Sequence, residues 1–383
     1  MDFLQNYLTM LRRDGEPDYV PSFVQEIMPK IYRDADDYFY INDIDVDLLP
    51  LGLKDVTIHK ALGFDSTWVT PPHGERVFSD ESDALWKKLN NELSERQKKQ
   101  GYKINRHGTL VKETILNGFP YTYQHEGVLK TEDLFRRWYE GSYVSEPSED
   151  RGHPVERINR TVENGLKNDF LPVFATNLVV EPILATIGLF GFARYSRTNP
   201  DFVRYVIEKN LELSNQKLDL ILQSKAPVVI IPDDCAYKNR TILDPKQYRD
   251  FVIPHFRRMV KKCHKKDKLV IFHSDGFVEP LYPLLIDIGV DAHDSLEPAA
   301  GMDLVHLKKE YGDKITLIGN IDVSNLLPYG TREEVAVATK ECLKAGGPGG
   351  GYIFAPCTDL TNSCNFDNVI TMMNTYRKHR NYN

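Results

Sequence analysis

The stretch from Lys268 to Pro280, KLVIFHSDGFVEP, combines an apolar run with a polar end, and this pattern indicates the fold of the chain. Its apolar residues Leu269–Phe272 predict a strand that is buried on both faces. Side chains two residues apart in a strand point the same way, so His273 and Asp275 would lie side by side at its carboxyl end. An imidazole beside a carboxylate suits a metal site or acid–base chemistry, but a simple hydrogen bond and a helix cap explain the pair equally well.

The same pattern of an apolar strand followed by a helix recurs through the second half of the chain. Strands of this kind that alternate with helices indicate a parallel sheet covered by helices. At least five such units, with two or three before them, predict a (β/α)8 TIM barrel. The predicted strands of the regular part are Phe170–Thr176, Ala226–Ile231, Leu269–Phe272, Val290–Leu296, Ile315–Ile318 and Gly351–Ala355.

An open dinucleotide-binding sheet is disfavoured because no Gly-x-Gly-x-x-Gly turn follows a predicted strand. The first 170 residues are less regular, with a strand predicted in 64–70 and hairpins in 102–124 that turn at Asn117-Gly118. We therefore expect one domain over residues 1–383. Residues 1–170 would carry N-terminal extensions and hairpin insertions, and residues 171–383 the regular units.

Composition narrows the class of partner. A net charge of −7 and a pI near 5.9 argue against nucleic acid and anionic membranes, because phosphate binding needs clustered cations. No apolar run approaches the roughly 20 residues that span a bilayer, and the first residues do not form a signal peptide pattern. The five cysteines are sparse and odd in number, which suits a reducing compartment. We expect a cytoplasmic protein.

Polar side chains recur where the apolar strands end. In a barrel these carboxyl ends share one face, where chemistry takes place. Each residue also has a structural explanation, because Asp and Asn cap helices and a buried Cys is commonly inert. The recurrence of the whole set predicts a ligand-binding mouth. Its candidate residues are Asp233, Asp234, His273, Asp275, His293, Glu297, Asn320, Asp322, Cys357 and Asp359.

Several motifs of the chain resemble the uroporphyrinogen decarboxylase superfamily. That superfamily contains decarboxylases and also zinc-dependent methyltransferases that work with corrinoid proteins, so the resemblance implies a TIM barrel with one of these activities. The similarity is specific from about Ala226 onward. The motifs are HSDG (273–276), SLEP (295–298), GNID (319–322), GTREEV (330–335) and GGGYI (349–353), with GEPDYVP (15–21) near the start.

The resemblance favours the methyltransferase branch. Decarboxylases of the superfamily carry an arginine-rich segment after the first strand, whereas Pro21–Glu26 contains no arginine. A substrate with many carboxylates would be hard to bind without such forked cations.

The resemblance also implies a set of zinc ligands. His273 matches the family's histidine, Glu297 its glutamate and Cys357 its distal cysteine, while Asp275 stands where the family has a second cysteine. A set of His273, Asp275, Glu297 and Cys357 still suits zinc but is harder than a two-thiolate set. Such a site points toward an oxygen substrate and away from coenzyme M.

The hypothesis that follows is O-demethylation of an aryl methyl ether. Zinc, with Glu297 as its displaceable ligand, would polarise the ether oxygen, and a Co(I) corrinoid on a partner protein would take the methyl group. Asp233, Asp234 and Asn320 would orient the substrate or hydrogen-bond the ligands, with Asp234 and Asn320 as the catalytic candidates.

Three alternatives stay open. The same site could transfer methyl from the corrinoid to a thiol of the coenzyme M type, or a zinc-free barrel could decarboxylate a small acid with Asp234 and His273. The chain could also be a non-catalytic corrinoid- or tetrapyrrole-binding protein that has lost its metal set, with Asp275 as the sign of that loss. The expected partners are a corrinoid protein and a small methyl donor or acceptor.

Overall fold

A computed structural model describes residues 1–41, 56–116, 119–150 and 152–382. Its strands are β1 (Ser66–Val69), β2 (Arg76–Val77), β3 (Tyr102–Ile104), β4 (Thr109–Leu116), β5 (Phe119–Gly127), β6 (Tyr143–Val144), β7 (Leu171–Ala175), β8 (Val228–Pro232), β9 (Ala236–Tyr237), β10 (Arg240–Thr241), β11 (Leu269–His273), β12 (Ala292–Leu296), β13 (Thr316–Ile321) and β14 (Tyr352–Pro356).

The helices are α1 (Phe3–Arg12), α2 (Pro29–Phe39), α3 (Val56–Leu62), α4 (Asp80–Glu92), α5 (Glu95–Lys99), α6 (Glu132–Tyr139), α7 (Pro154–Leu166), α8 (Val180–Thr186), α9 (Gly188–Thr198), α10 (Pro200–Gln223), α11 (Pro245–Gln247), α12 (Ile253–His264), α13 (Tyr282–Ile288), α14 (Leu304–Tyr311), α15 (Leu326–Tyr329), α16 (Arg332–Gly346) and α17 (Phe366–His379). Other helical turns cover Tyr248–Val252, Glu279–Leu281 and Pro298–Ala300.

Seven parallel strands form one sheet in the order β1-β7-β8-β11-β12-β13-β14. The segment 21–25 closes this sheet, because Ser22 bridges Phe354 of β14 and Val24 bridges Thr67 of β1, both in parallel. The backbone N–H of Phe23 donates to Phe354 and that of Val24 to Ser66. The segment therefore takes the place of an eighth strand, and the predicted TIM barrel is confirmed.

Alternation along β11 and β12 decides which side chains face the barrel interior. Phe272 packs outward against Phe256 of α12, with ring centroids 5.3 Å apart, and His293 stacks on Phe272 in the same outer layer. His273 and Asp294 are register partners and hydrogen-bond each other on the inner side.

A β-bulge interrupts β12 at its carboxyl end. The pairing of β12 with β13 shifts between Asp294 and Leu296, and the residue between them, Ser295, has a left-handed backbone with φ 81°. Bulges of this kind bend a strand and re-aim its side chains. The bulge turns the Ser295 hydroxyl toward Asp275 and the backbone of Cys357.

The first part of the chain adds antiparallel structure to the barrel. Strands β3, β4 and β5 form a three-stranded sheet, which confirms the predicted hairpin insertion. The predicted turn at Asn117-Gly118 lies outside the described residues. Within the ranges given above, none of the helices combines the length and the apolar character that crossing a membrane requires.

Candidate functional site

His273 lies at the centre of the barrel mouth, on the last residue of β11. Its side chain is only 3% exposed, and its Nδ1 lies 2.7 Å from Oδ2 of the equally buried Asp294. Trp68, near the end of β1, meets the imidazole edge-on with ring centroids 5.3 Å apart. The hydrogen bond to Asp294 fixes the orientation of the ring and leaves Nε2 to face the mouth.

The carboxylates around His273 control its charge. Burial by itself lowers the pKa of His273, but the hydrogen bond and the charge of Asp294, with the charges of Asp275 and Asp234, outweigh burial and raise the pKa to about 10. In the metal-free protein at neutral pH the ring is therefore an imidazolium. A metal ion that binds Nε2 must displace its proton.

His273, Asp234 and Asp275 form a group that could hold a divalent ion. Nε2 of His273 lies 3.9 Å from Oδ1 of Asp234 and 4.0 Å from Oδ1 of Asp275, and one ligand atom from each of the three residues lies within 4.8 Å of the others. Donors around zinc are roughly 3.3 Å apart when each bond is about 2.0 to 2.1 Å. Small inward movements of both the Asp234 and the Asp275 side chains would meet that requirement, so the residues fit a divalent ion.

Asp275 is held by several neighbours. Ser295 Oγ contacts its Oδ1, the Thr358 hydroxyl lies 3.3 Å from its Oδ2, and its backbone N–H points at Asp234 Oδ1 at 3.4 Å. Burial raises the pKa of Asp275, although the positive charge of His273 opposes the rise. Asp275 thus stands in the position that the sequence predicted, beside His273.

Glu297 and Cys357 lie close to this group but outside its three members. Oε2 of Glu297 accepts a hydrogen bond from the backbone N–H of Gly276 at 3.2 Å, one residue from Asp275. Cys357 is buried, and burial raises the pKa of its thiol, to which the charges of Asp275 and Glu297 add. The structure brings both residues to the rim of the site, and their predicted role as ligands stays a prediction.

Asp233 lies against the start of α8, and its predicted contact with the substrate stays a prediction. The side chain is fully buried, and its Oδ1 accepts hydrogen bonds from the backbone N–H groups of Val179, Val180 and Glu181. Burial raises the pKa of Asp233 to about 8, although these three hydrogen bonds oppose the rise. Asp233 therefore fixes the start of α8, and its neighbour Asp234 is the residue that reaches the site.

Asn320 and His293 also serve other parts of the barrel. The side-chain amide of Asn320 donates to the carbonyls of Leu296 and Met302, at 2.7 and 2.8 Å, so it ties β13 to the loop after β12. His293 Nδ1 pairs with the Tyr282 hydroxyl at 2.9 Å in the outer layer, and burial lowers the pKa of His293 to about 3. The predicted mouth position of His293 is wrong, because His293 pairs in register with outward-facing Phe272 while Asp294 pairs with inward-facing His273.

Further carboxyl groups surround the site. The charge of His273 acts on Glu181, at the start of α8, and on Asp359, after β14. Burial raises the pKa of Asp359 to about 7, helped by the nearby charge of Glu26. The mouth is therefore rich in carboxyl groups beyond the three candidate ligands.

Sequence reasoning missed Asp294, Ser295, Glu181 and Glu26 as parts of the site. A signal for Asp294 was present, since a charged residue inside a predicted buried strand needs a partner. The other three carry no local signal, because strand register and the bulge determine where they point.

Comparisons with known proteins agree with this fold. A solved structure described as a methyltransferase from Methanosarcina mazei superposes over 99% of both chains with a TM-score of 0.63 and 16% sequence identity, a likeness that shows the fold alone.

Curated relatives match shorter segments. The chain is 25% identical over 162 residues to the methylated-thiol–coenzyme M methyltransferase of Methanosarcina mazei, covering 42% of this chain and 41% of the relative. It is also 25% identical over 180 residues to the methylcobamide:CoM methyltransferase MtaA of Methanosarcina barkeri, covering 46% and 50%. A uroporphyrinogen decarboxylase of Chlorobium chlorochromatii is 26% identical over 108 residues, covering 27% and 29%. The chain thus spans half or less of the length of each of these relatives.

The matched family model covers β8 and β11–β14, the strands that supply most of the site. It is described as uroporphyrinogen decarboxylase (URO-D) and matches residues 188–379, which is half of the chain. The chain belongs to the uroporphyrinogen decarboxylase (URO-D) family.

Proposed function

We propose that the protein is a methyltransferase that moves a methyl group between a small molecule and the corrinoid of a partner protein, with zinc at the barrel mouth. The observation that carries this proposal is His273, whose Nδ1 is fixed by buried Asp294 while Nε2 faces Asp234 and Asp275. The names of the methyltransferase relatives support the reaction class.

The chain's own residues would prepare the site for this ion. Asp294 would keep the imidazole in one orientation, and the two carboxylates would supply oxygen donors on either side of Nε2. Zinc bound there would supply Lewis-acid polarisation of the heteroatom that gains or loses the methyl group. Glu297 and Cys357 are the neighbours that we propose as further ligands.

An aryl methyl ether is the substrate that we propose, as the methyl donor. A donor set of one nitrogen and two oxygens is hard and suits activation of an oxygen atom. The methyl–oxygen bond would break as the methyl group passes to Co(I) of the partner's corrinoid, and the oxygen would keep the bonding electron pair. Trp68, packed against His273, offers an apolar wall for an aromatic ring at this position.

Transfer to a thiol of the coenzyme M type is the second candidate, because two of the relatives carry coenzyme M in their names. The charge of the mouth weighs against it. Coenzyme M carries a sulfonate, which would approach the carboxylates of Asp234 and Asp275, and like charges in a partly buried site repel. The same repulsion disfavours a polycarboxylate undergoing decarboxylation.

The experiment has two stages. Metal analysis of protein purified without added zinc tests the metal centre, and His273→Ala is compared with His264→Ala. His264 is a matched control because it pairs with Asp291 at 2.8 Å at the opposite end of the barrel, ahead of β11 and β12. We expect zinc in the wild-type protein and in His264→Ala, and little in His273→Ala.

The second stage consists of two assays. In one, the protein is incubated with a Co(I) corrinoid protein and an aryl methyl ether, and in the other with a methylated corrinoid protein and coenzyme M. The corrinoid absorption spectrum reports methylation or demethylation of cobalt. Turnover of the ether alone supports the proposal, and turnover of coenzyme M alone selects the second candidate. Zinc-free protein that turns over neither would favour a decarboxylase or a non-catalytic binding protein.

A further inference from the structure

Ser295 is the residue at the bulge in β12, and it has a left-handed backbone conformation with φ 81°. Five described residues other than glycine have positive φ, and four of them, Arg13, Tyr40, Asp169 and Asp267, follow the end of a helix, where a left-handed residue commonly closes the last turn. Ser295 instead lies fully buried within β12. A non-glycine residue in this region costs free energy and persists only where the surrounding structure holds it there.

The side chain of Ser295 connects two parts of the candidate metal centre. Its Oγ contacts Oδ1 of Asp275, the same oxygen that faces Nε2 of His273, and it also contacts the backbone carbonyl of Cys357. Glycine would adopt the φ of 81° without the cost but would provide neither contact. The two hydroxyl contacts are therefore what serine provides at this position and glycine would not.

We propose that Ser295 is a positioning residue that orients Asp275 toward the metal ion and ties it to the strand end that carries Cys357. Carboxylates that bind metals are themselves held by hydrogen bonds, and the loss of such a partner lowers metal affinity by about 10- to 100-fold. Without the hydroxyl, Asp275 keeps its contact with Thr358 through Oδ2 but loses the restraint on Oδ1. This inference rests on the proposed function to the extent that the ion binds between His273 and Asp275.

The test compares Ser295→Ala and Ser295→Gly with the wild-type protein. Zinc affinity is measured by competition with a chromophoric chelator, the Co(II)-substituted proteins are compared by absorption spectroscopy, and thermal unfolding is followed without metal. We expect both variants to bind zinc about 10- to 100-fold more weakly and to alter the Co(II) spectrum. Ser295→Gly should also melt roughly 1 to 3 °C higher than Ser295→Ala, because glycine relieves the left-handed backbone.

Asp267→Gly is the matched control, since it relieves a positive φ of 54° after α12, away from the site. It should leave zinc affinity and the Co(II) spectrum unchanged. If both Ser295 variants bind zinc as tightly as the wild type, while His273→Ala loses zinc, the proposed role of Ser295 is wrong and the metal centre stands. If His273→Ala binds zinc as tightly as the wild type, both this inference and the proposed metal centre are wrong.

Discussion

Replacing Asp294 by Asn removes the charge behind His273 while keeping an oxygen in hydrogen-bond reach of Nδ1. Burial opposes the imidazolium, and Asp294, Asp275 and Asp234 raise its pKa from the ordinary 6.5 to about 10. That difference corresponds to about 5 kcal/mol in favour of the charged ring. Asp294 makes the shortest contact, and breaking a buried ion pair by removing one partner costs about 3 to 5 kcal/mol. We expect Asp294→Asn to lower the free energy of unfolding by about 3 kcal/mol in the metal-free protein.

The pH dependence of this loss gives the prediction its sign. The folded-state pKa of His273 lies above the unfolded value, so its contribution to stability is fully present below pH 6.5 and disappears as pH rises toward about 10. Urea unfolding of chelator-treated protein at pH 6, 7.5 and 9 measures the effect. The gap between wild type and Asp294→Asn should be largest at pH 6 and shrink at pH 9. A gap that is absent at pH 6, or that widens with pH, would show that Asp294 does not stabilise a charged His273.

Three further substitutions distinguish residues that bind the metal ion from residues that stabilise the fold around it. Asp275→Cys restores a thiolate beside His273, and we expect at least tenfold tighter zinc binding with reduced turnover of the ether, measured by chelator competition and the corrinoid assay. Asp233→Ala removes the acceptor for three backbone N–H groups at α8. We expect the free energy of unfolding to fall by about 2 to 3 kcal/mol while zinc affinity changes little. A large loss of zinc affinity with unchanged stability would contradict this. Gly319→Ala places a Cβ 3.0 Å from Leu296 at a φ of +141°, and urea unfolding should show a loss of about 1 to 3 kcal/mol; unchanged stability would contradict the close approach of β13 to β12.

The barrel could be predicted because its evidence is local. Apolar strands such as 228–231 and 269–272 are short, buried and followed by helical periodicity. These patterns can be recognised without knowing which strands pair with each other. That the segment 21–25 closes the barrel could not be predicted in this way. Its two bridges depend on residues more than 40 and 300 positions away.

The site was predictable in part for the same reason. His273 and Asp275 follow one strand and keep its alternation. Counting back in twos from Glu297 places His293 on the mouth face, but the extra residue at the bulge breaks that period and gives the inner position to Asp294. Adjacent aspartates are equally ambiguous, since only the position of α8 decides that Asp233 caps the helix and Asp234 reaches His273.

We propose that the imidazole of His273 and the carboxylates beside it bind one divalent ion at the open end of the barrel. The most direct measurement is a calorimetric zinc titration of chelator-treated wild-type protein and of His273→Ala, His264→Ala and Asp275→Asn. We expect the wild type and His264→Ala to bind one equivalent of zinc with high affinity, His273→Ala to bind none, and Asp275→Asn to bind zinc markedly more weakly. Equal zinc binding by the wild type and His273→Ala, or none by any of the four proteins, would contradict this proposal.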